Sequence, residues 1–341
     1  MSRYFKSDNT ACICPEILAA IAAANSGYAT GYGDDPWSQK LDATFGELFG
    51  TAVRVFPVAT GTGANSLALA ALVPPWGAIY AHEEAHILRD ECGAVEAASG
   101  GARIICAEQV NAKLTPESVG RAIAANPSSV HTVQPAAISI SQASEYGRSY
   151  RPQEIAALAA TARQHDMALH MDGARFANSV AFLQCTPAEL TWRAGVDVLS
   201  FGATKNGAMA AEAVVFFNIE RARHFELRRK RGGHLLSKQR FVSAQLLAYV
   251  ENDLWLRNAR HANGLAQQIA TACGQCLMQP VEANEIFVQL DAARVAALRA
   301  RDFEFYDWGA AGAGAIRLVV SWSQSEAEVA ALCAELRAIC L

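Results

Sequence analysis

The sequence lacks any long apolar run. No window approaches the roughly 20 consecutive apolar residues that a membrane-spanning helix requires, so no membrane partner is expected. The first residues, Met1 to Asn9, carry charge and no apolar core, and no secretory signal is expected from them. A basic field is missing as well. The formal net charge is −4 over 341 residues, which leaves nothing to hold nucleic acid generally. The one basic run, Arg228-Arg229-Lys230-Arg231, is local and reads by default as a solvated helix face. There is no disulfide framework either. The nine cysteines (Cys12, Cys14, Cys92, Cys106, Cys185, Cys273, Cys276, Cys333 and Cys340) are scattered, odd in number and mostly set among apolar residues. Free thiols in a reducing cytoplasm are the expectation. Cys273-Gly-Gln-Cys276 is a C-x-x-C without a second pair at zinc-ribbon spacing, so no metal site is assigned to it.

The composition that remains, 52% hydrophobic and 18% charged, is that of a globular enzyme and not of a disordered chain. Its length suits one large α/β domain with a smaller companion. From about residue 52 to 218, short apolar runs alternate with helical patterns. The predicted strands are 52–58, 78–81, 103–107, 129–134, 136–140, 167–171, 196–200 and 213–217. Asp35 before Pro36 predicts a helix start, with Leu41, Phe45 and Leu48 as its apolar stripe. Thr115-Pro116-Glu117 and Pro152 open two more, the latter with Ile155, Leu158, Ala159 and Ala162 at helical spacing. This alternation predicts a mainly parallel sheet covered on both faces, with active residues where strands end. Beyond residue 235 a long Ala/Leu-rich helix is expected from Leu235 toward Thr271. Strands at 285–290, 303–308 and 316–321 and helices at 292–301 and 325–339 then predict a smaller α+β unit. Gly309–Gly314, made only of Gly and Ala, reads as a loop.

Four features carry chemistry. Ala59-Thr60-Gly61-Thr62-Gly63-Ala64-Asn65 follows a strand and opens a helix. Small residues and free N–H groups there suit a phosphate, although a plain strand-to-helix turn has the same look. Asp172-Gly173-Ala174-Arg175 ends an apolar strand; Asp172 would keep a pyridine nitrogen protonated, or merely cap the next helix. Lys205 follows a buried strand among small residues. Burial makes an amine nucleophilic and fit for a Schiff base, while a snorkelling lysine is the plainer alternative. Finally, His82-Glu83-Glu84-Ala85-His86 matches H-E-x-x-H, the zinc-peptidase signature. That signature needs a helix presenting both imidazoles, and here the segment follows a short strand and a Pro-Pro turn. A zinc hydrolase using His82 and His86 therefore stands as a rival, and metal ligands are not expected. A dinucleotide-binding module fits less well, because G-T-G-A-N lacks the G-x-G-x-x-G spacing.

In chain order, the phosphate cup, Asp-Gly-x-Arg and Ser-Phe-x-x-x-Lys resemble the aspartate-aminotransferase fold of pyridoxal-phosphate enzymes. More narrowly, Tyr32-Gly33-Asp34-Asp35-Pro36, Ala59–Asn65, Ala85-His86, His170–Arg175, Lys205 and Ile316-Arg317-Leu318-Val319 resemble the low-specificity L-threonine aldolase family, over nearly the whole chain. The resemblance implies a mainly parallel seven-stranded sheet sandwiched by helices in residues 1–235. A small α+β domain would follow in residues 236–341. It implies pyridoxal 5′-phosphate joined to Lys205, with Asp172 at the ring nitrogen, His86 over the ring, and Gly61, Thr62 and Gly63 at the phosphate. Ser7, Arg175 and Arg317 would grip the substrate carboxylate, since a guanidinium fork suits two oxygens. Tyr32 would line the site. Lys230, with Lys238 as a second candidate, would reach the phosphate from another subunit, making a homodimer the minimal active unit and a homotetramer the expected assembly.

The implied reaction is cleavage of the Cα–Cβ bond of L-threonine, L-allo-threonine and related β-hydroxy-α-amino acids to glycine and an aldehyde, in the cytoplasm. Transamination or β-elimination would use the same Lys and Asp. One departure stands out. Where many family members carry a loop histidine, this chain reads Gln142-Ala143-Ser144-Glu145-Tyr146-Gly147. The base for the β-hydroxyl is left among His86, Glu145 and an ordered water.

Overall fold

The computed structural model describes residues 3–309 and 312–340. Its ten strands are β1 Arg54–Val58, β2 Gly77–His82, β3 Arg103–Ala107, β4 Gln134–Ser141, β5 Ala168–Gly173, β6 Val198–Gly202, β7 Glu212–Phe216, β8 Glu285–Gln289, β9 Tyr306–Asp307 and β10 Ala315–Val319. The first seven form one sheet in the order β1-β7-β6-β5-β4-β2-β3. Pairings from β3 through β6 are parallel, and β7 runs antiparallel to both of its neighbours. Helices on both faces bury β2, β5, β6 and β7 completely, which is why these segments read as continuous apolar runs and not as alternating ones. The mainly parallel α/β expectation therefore holds, with one reversed strand. No helix of the described residues is long and apolar enough to cross a membrane.

Register matters most at the carboxyl ends. Ser141 on β4 pairs with Asp172 on β5, and Asp172 with Ser200 on β6, so three strands finish at one level. Beneath that level Phe201 meets Phe45 edge-on at 5.2 Å, and Phe176 stacks on Trp255 at 6.2 Å. This aromatic layer fixes the last turn of β6 from below. His170, one step earlier on β5, is a satisfied core histidine. Its ring nitrogens meet Ser139 at 2.9 Å and Ser200 at 3.0 Å, and burial pushes its pKa down to about 4.

The second sheet, β8-β10-β9, is antiparallel and packs on the helix Leu254–Cys273 and the final helix Glu326–Cys340. The apolar clusters do not divide at residues 235/236. Val242, Leu246, Tyr249 and Trp255 belong to the large core, the small core begins at Ala262 on the same helical stretch, and Phe5 joins the small one from the N-terminus.

Three expected elements differ. Residues 129–133 form a turn, because Thr132 Oγ1 donates to the Pro127 carbonyl at 2.9 Å and Gln134 Nε2 to the Ser129 carbonyl at 2.8 Å. The long helix from 235 begins only at Arg240 and breaks at Glu251–Asp253, where Asn252 and Asp253 take left-handed backbone, φ 50° and 54°. In the third, 303–308, the strand pairing narrows to Tyr306–Asp307. The Gly/Ala loop includes residues 310 and 311, which lie outside the described residues.

A charged latch ties the small unit to the large one. Buried Glu282, just ahead of β8, meets Arg151 at 2.9 Å and Arg148 at 3.2 Å and accepts the Ser149 N–H at 2.8 Å. Burial raises its carboxyl pKa, but the two arginines and the amide outweigh that and bring it from 4.5 down to about 2. A depressed acid contributes stability above its unfolded pKa and loses it as pH falls through the folded one. Glu282→Gln should cost on the order of 2 kcal/mol at pH 7. In acid melts the difference between variant and parent should vanish between about pH 4.5 and pH 2; an undiminished gap at pH 2 would count against the latch.

Candidate active site

The site is built where β5 and β6 end. Asp172 and Lys205 leave adjacent strands, and two glycines let those strand ends meet. A Cβ on Gly202 would lie 2.7 Å from the Ala174 backbone, and one on Gly173 would lie 2.8 Å from the Ser200 carbonyl. Lys205 follows in the tight turn Thr204–Asn206. That turn is pinned by Asn206, whose side-chain amide donates to Tyr249 Oη at 2.7 Å and to the Trp255 carbonyl at 2.8 Å. Asp172 and Lys205 line one cavity of about 890 Å³ together with Ser7, Gly61, His86, Arg175 and Arg317. The sequence-predicted core of the site is thus brought together.

One wall is the N-terminus of the helix Gly61–Leu72. Thr60 caps it by accepting the Gly63 N–H at 3.0 Å. The amides of Gly61 and Thr62 have no intrahelical partner, as in any first turn, and suit an anion. Gly61 has open space at its missing Cβ, whereas a Cβ on Gly63 would lie 2.2 Å from the His234 ring. His234 is a residue the sequence reading missed.

Asp172 is 7% exposed and is held as an acceptor, taking the Ala174 N–H at 2.9 Å and the Asn65 side-chain amide at 2.7 Å. The same Asn65 amide also reaches Glu91 at 2.8 Å, and Glu91 meets His86 Nδ1 at 2.9 Å. A hydrogen-bonded chain Asp172–Asn65–Glu91–His86 therefore runs along the wall, buried as far as Glu91. Glu91 raises the pKa of His86, and burial raises that of Glu91. Asn65 stood in the Gly-rich motif without a role, and nothing near Glu91 in the sequence marks it.

H-E-x-x-H is not a helical pair here. His82 ends β2, and His86 opens the one-turn helix His86–Arg89. His82 Nδ1 accepts the Glu84 N–H at 2.9 Å, and burial drives its pKa down to about 4.

Two arginines also line the cavity. Arg175 is gripped by Asp8 at 2.8 and 3.0 Å and meets Glu285 at 3.2 Å. Burial disfavours its charge, but these carboxylates more than restore it. Arg317 Nη1 lies 3.9 Å from Glu285, and its Nε is buried without a partner. Asp8 and Glu285 escaped the sequence reading because each comes from a segment remote from β5.

Tyr32, Lys230 and Lys238 do not line this chain's cavity. Tyr32 is exposed, with the Lys230 ammonium 4.3 Å above its ring, and Lys238 is exposed as well. Thr62 and Gly63 stand behind Gly61 in the cup rather than on the cavity wall.

The donor set fits pyridoxal phosphate. It offers first-turn amides for a phosphate, a buried carboxylate with spare lone pairs for a ring nitrogen, and a primary amine lining the same cavity. Comparison with known proteins agrees with this geometry. Residues 4–293 match the family described as β-eliminating lyase. The chain belongs to that family. Within it, it is 44% identical to the low specificity L-threonine aldolase of a Pseudomonas species, over 99% of this chain and 98% of that one. Its structure matches the threonine aldolase of Leishmania major with a TM-score of 0.92 and 28% identity, covering 99% of both chains. The Catharanthus roseus tryptophan decarboxylase, solved with L-tryptophan, matches at TM-score 0.75 and 13% identity, covering 99% of this chain and 83% of that one; this likeness is one of fold alone. The chain is a lyase of the threonine aldolase group.

Gly202→Ala tests the strand-end geometry. The added methyl must push the Ala174 backbone away, an overpacking cost of about 1–3 kcal/mol. The variant should melt earlier and bind pyridoxal phosphate more weakly; unchanged binding in a titration of the apoprotein would show that the close approach is not needed.

Proposed function

We propose that this protein cleaves L-threonine, L-allo-threonine and related β-hydroxy-α-amino acids to glycine and an aldehyde, with pyridoxal 5′-phosphate as cofactor. The observation that carries the reading is that Asp172, Lys205, Arg175 and Arg317 all line one cavity of about 890 Å³. Bound there, pyridoxal phosphate supplies a conjugated ring that accepts the electron pair of a bond broken at Cα. Lys205 would hold the cofactor covalently, and Asp172 would hold a proton on the ring nitrogen. Gly61, Thr62 and Gly63 would bind the phosphate, and His86 would cover the ring face.

Arg175, Arg317 and Ser7 would orient the substrate carboxylate, and so choose which Cα bond is presented for cleavage. Asp8 and Glu285 keep Arg175 fixed in the pose this requires. Tyr32, Lys230 and Lys238 would act across a homodimer interface, with a homotetramer as the full assembly and the cytoplasm as its compartment. Their exposure away from the chain's own cavity supports a role in trans.

Two measurements test this. The purified protein should be yellow, and Lys205→Ala should lose both the visible absorption and aldehyde release; aldehyde production by that variant would overturn the reading. Mixed after unfolding, Lys205→Ala and Lys230→Ala subunits should regain part of the activity each lacks, because hybrid dimers hold one intact site. No regain would argue against a shared site.

A further inference from the structure

The loop after β4 contributes Ala143, Ser144 and Glu145 to the cavity lining. We propose that Glu145 is the group that takes the proton from the substrate's β-hydroxyl as the Cα–Cβ bond breaks. This rests on the aldolase reading.

Geometry is the first support. The Gln142 amide N–H donates to the Asp172 carbonyl at 2.7 Å, and its side chain bridges to the Tyr150 backbone at 2.8 and 2.9 Å. Ser144 and Arg148 close the loop with a backbone bond of 2.8 Å. The loop is thus built onto the strand end that carries Asp172. Glu145 lines the cavity from it, hydrogen-bonded by the Ser141 hydroxyl and, at 3.4 Å, by the His86 amide.

Chemistry is the second. Of the other carboxylates lining the cavity, Asp172 is engaged by Asn65, Glu91 by Asn65 and His86, Glu285 by Arg175, Glu84 by Arg89 and Asp307 by Arg299, while Asp90 is exposed to solvent. No Lys or Arg among the described residues pairs with Glu145, which is held by neutral donors only. The titratable groups around it are Asp172 at the end of β5, His86 after β2, and Tyr146 and Tyr150 in its own loop. Burial raises its pKa from 4.5 to about 7, against the lowering effect of Ser141. A general base works best when its pKa lies near the working pH. His86 is the weaker candidate, because Glu91 and Asp172 both favour its protonated form.

The step balances. The O–H proton passes to a Glu145 oxygen, and the O–H electron pair becomes the second bond of the aldehyde carbonyl. The Cα–Cβ pair remains with Cα, which later takes up one proton to give glycine. Nothing is oxidised or reduced, and the proton released at oxygen equals the one consumed at carbon.

The test compares wild type, Glu145→Gln and Glu145→Asp as holoenzymes. In wild type, kcat for threonine should rise with pH through about 7 and then level. Glu145→Gln should lose that limb and lower kcat by about 10²–10⁴-fold, with a much smaller change in KM. The ratio of threonine cleavage to α-proton exchange on glycine, which has no β-hydroxyl, should fall at least about 100-fold. Glu145→Asp should recover part of the loss. In the apoprotein, infrared titration should show one protonated carboxyl fewer near pH 7 in Glu145→Gln, with Glu212, whose pKa is also about 7, remaining. A retained pH limb, an equal loss of glycine exchange, or an unchanged infrared titration would overturn the proposal. If wild type itself releases no aldehyde, the aldolase reading fails instead, and the infrared result still reports on Glu145.

Discussion

The close approach of two strand ends is the constraint on which the site depends. β5 and β6 must finish side by side with their side chains directed into one cavity, and a methyl group at position 202 would hold them apart. Glycine is used here for space. In turn, the aromatic layer of Phe45, Phe176, Phe201 and Trp255 supports the same ends from beneath. Truncating a buried aromatic side chain typically costs about 3–5 kcal/mol, so this layer is stiff enough to hold a carboxylate and an amine at a set separation. Preorganisation of this kind is what electrostatic catalysis requires, because groups already in place need not reorganise as charge develops.

Around that frame the protein manages an unusual density of buried acid. Asp8, Glu91, Asp172, Glu212, Glu282 and Glu285 are all buried. Their partners differ in kind, from guanidinium groups to neutral amides. Arg175 keeps Asp8 ionised despite burial, two arginines do so for Glu282, while Glu91 and Glu212, offered only amides, hydroxyls or an imidazole, are pushed up. Charge is affordable where a guanidinium answers it and is otherwise suppressed by desolvation.

The chemistry that was legible along the chain was the chemistry of strand ends. Asp172, Lys205 and the Gly61 turn each sit at a boundary between an apolar run and small residues, and such boundaries are local facts. His82 and His86 show the reverse case. Four residues apart, they satisfy a zinc motif by spelling, yet β2 ends at the first and a new helix opens at the second. Spacing carries meaning only in the right secondary structure. The turn at 129–133 misled for a related reason, since Ser and Thr hydroxyls bonded the local backbone in place of a sheet ladder.

By itself, the sequence determined the layered α/β architecture and the strand ends whose residues Asp172, Lys205 and Gly61 line one cavity, because periodicity and boundary residues act over a few positions of chain. Only the tertiary structure decided the partners. Asp8 reaches Arg175 across 167 residues, Asn65 reaches Asp172 across 107, and Glu145 meets the His86 amide across 59. Tertiary structure also set the late division of the two cores along one helical stretch and the exposure of Tyr32 and Lys230. Pairing between distant segments depends on how strands stack and which faces they bury, and long-range contact of that kind leaves no periodic trace in the order of residues.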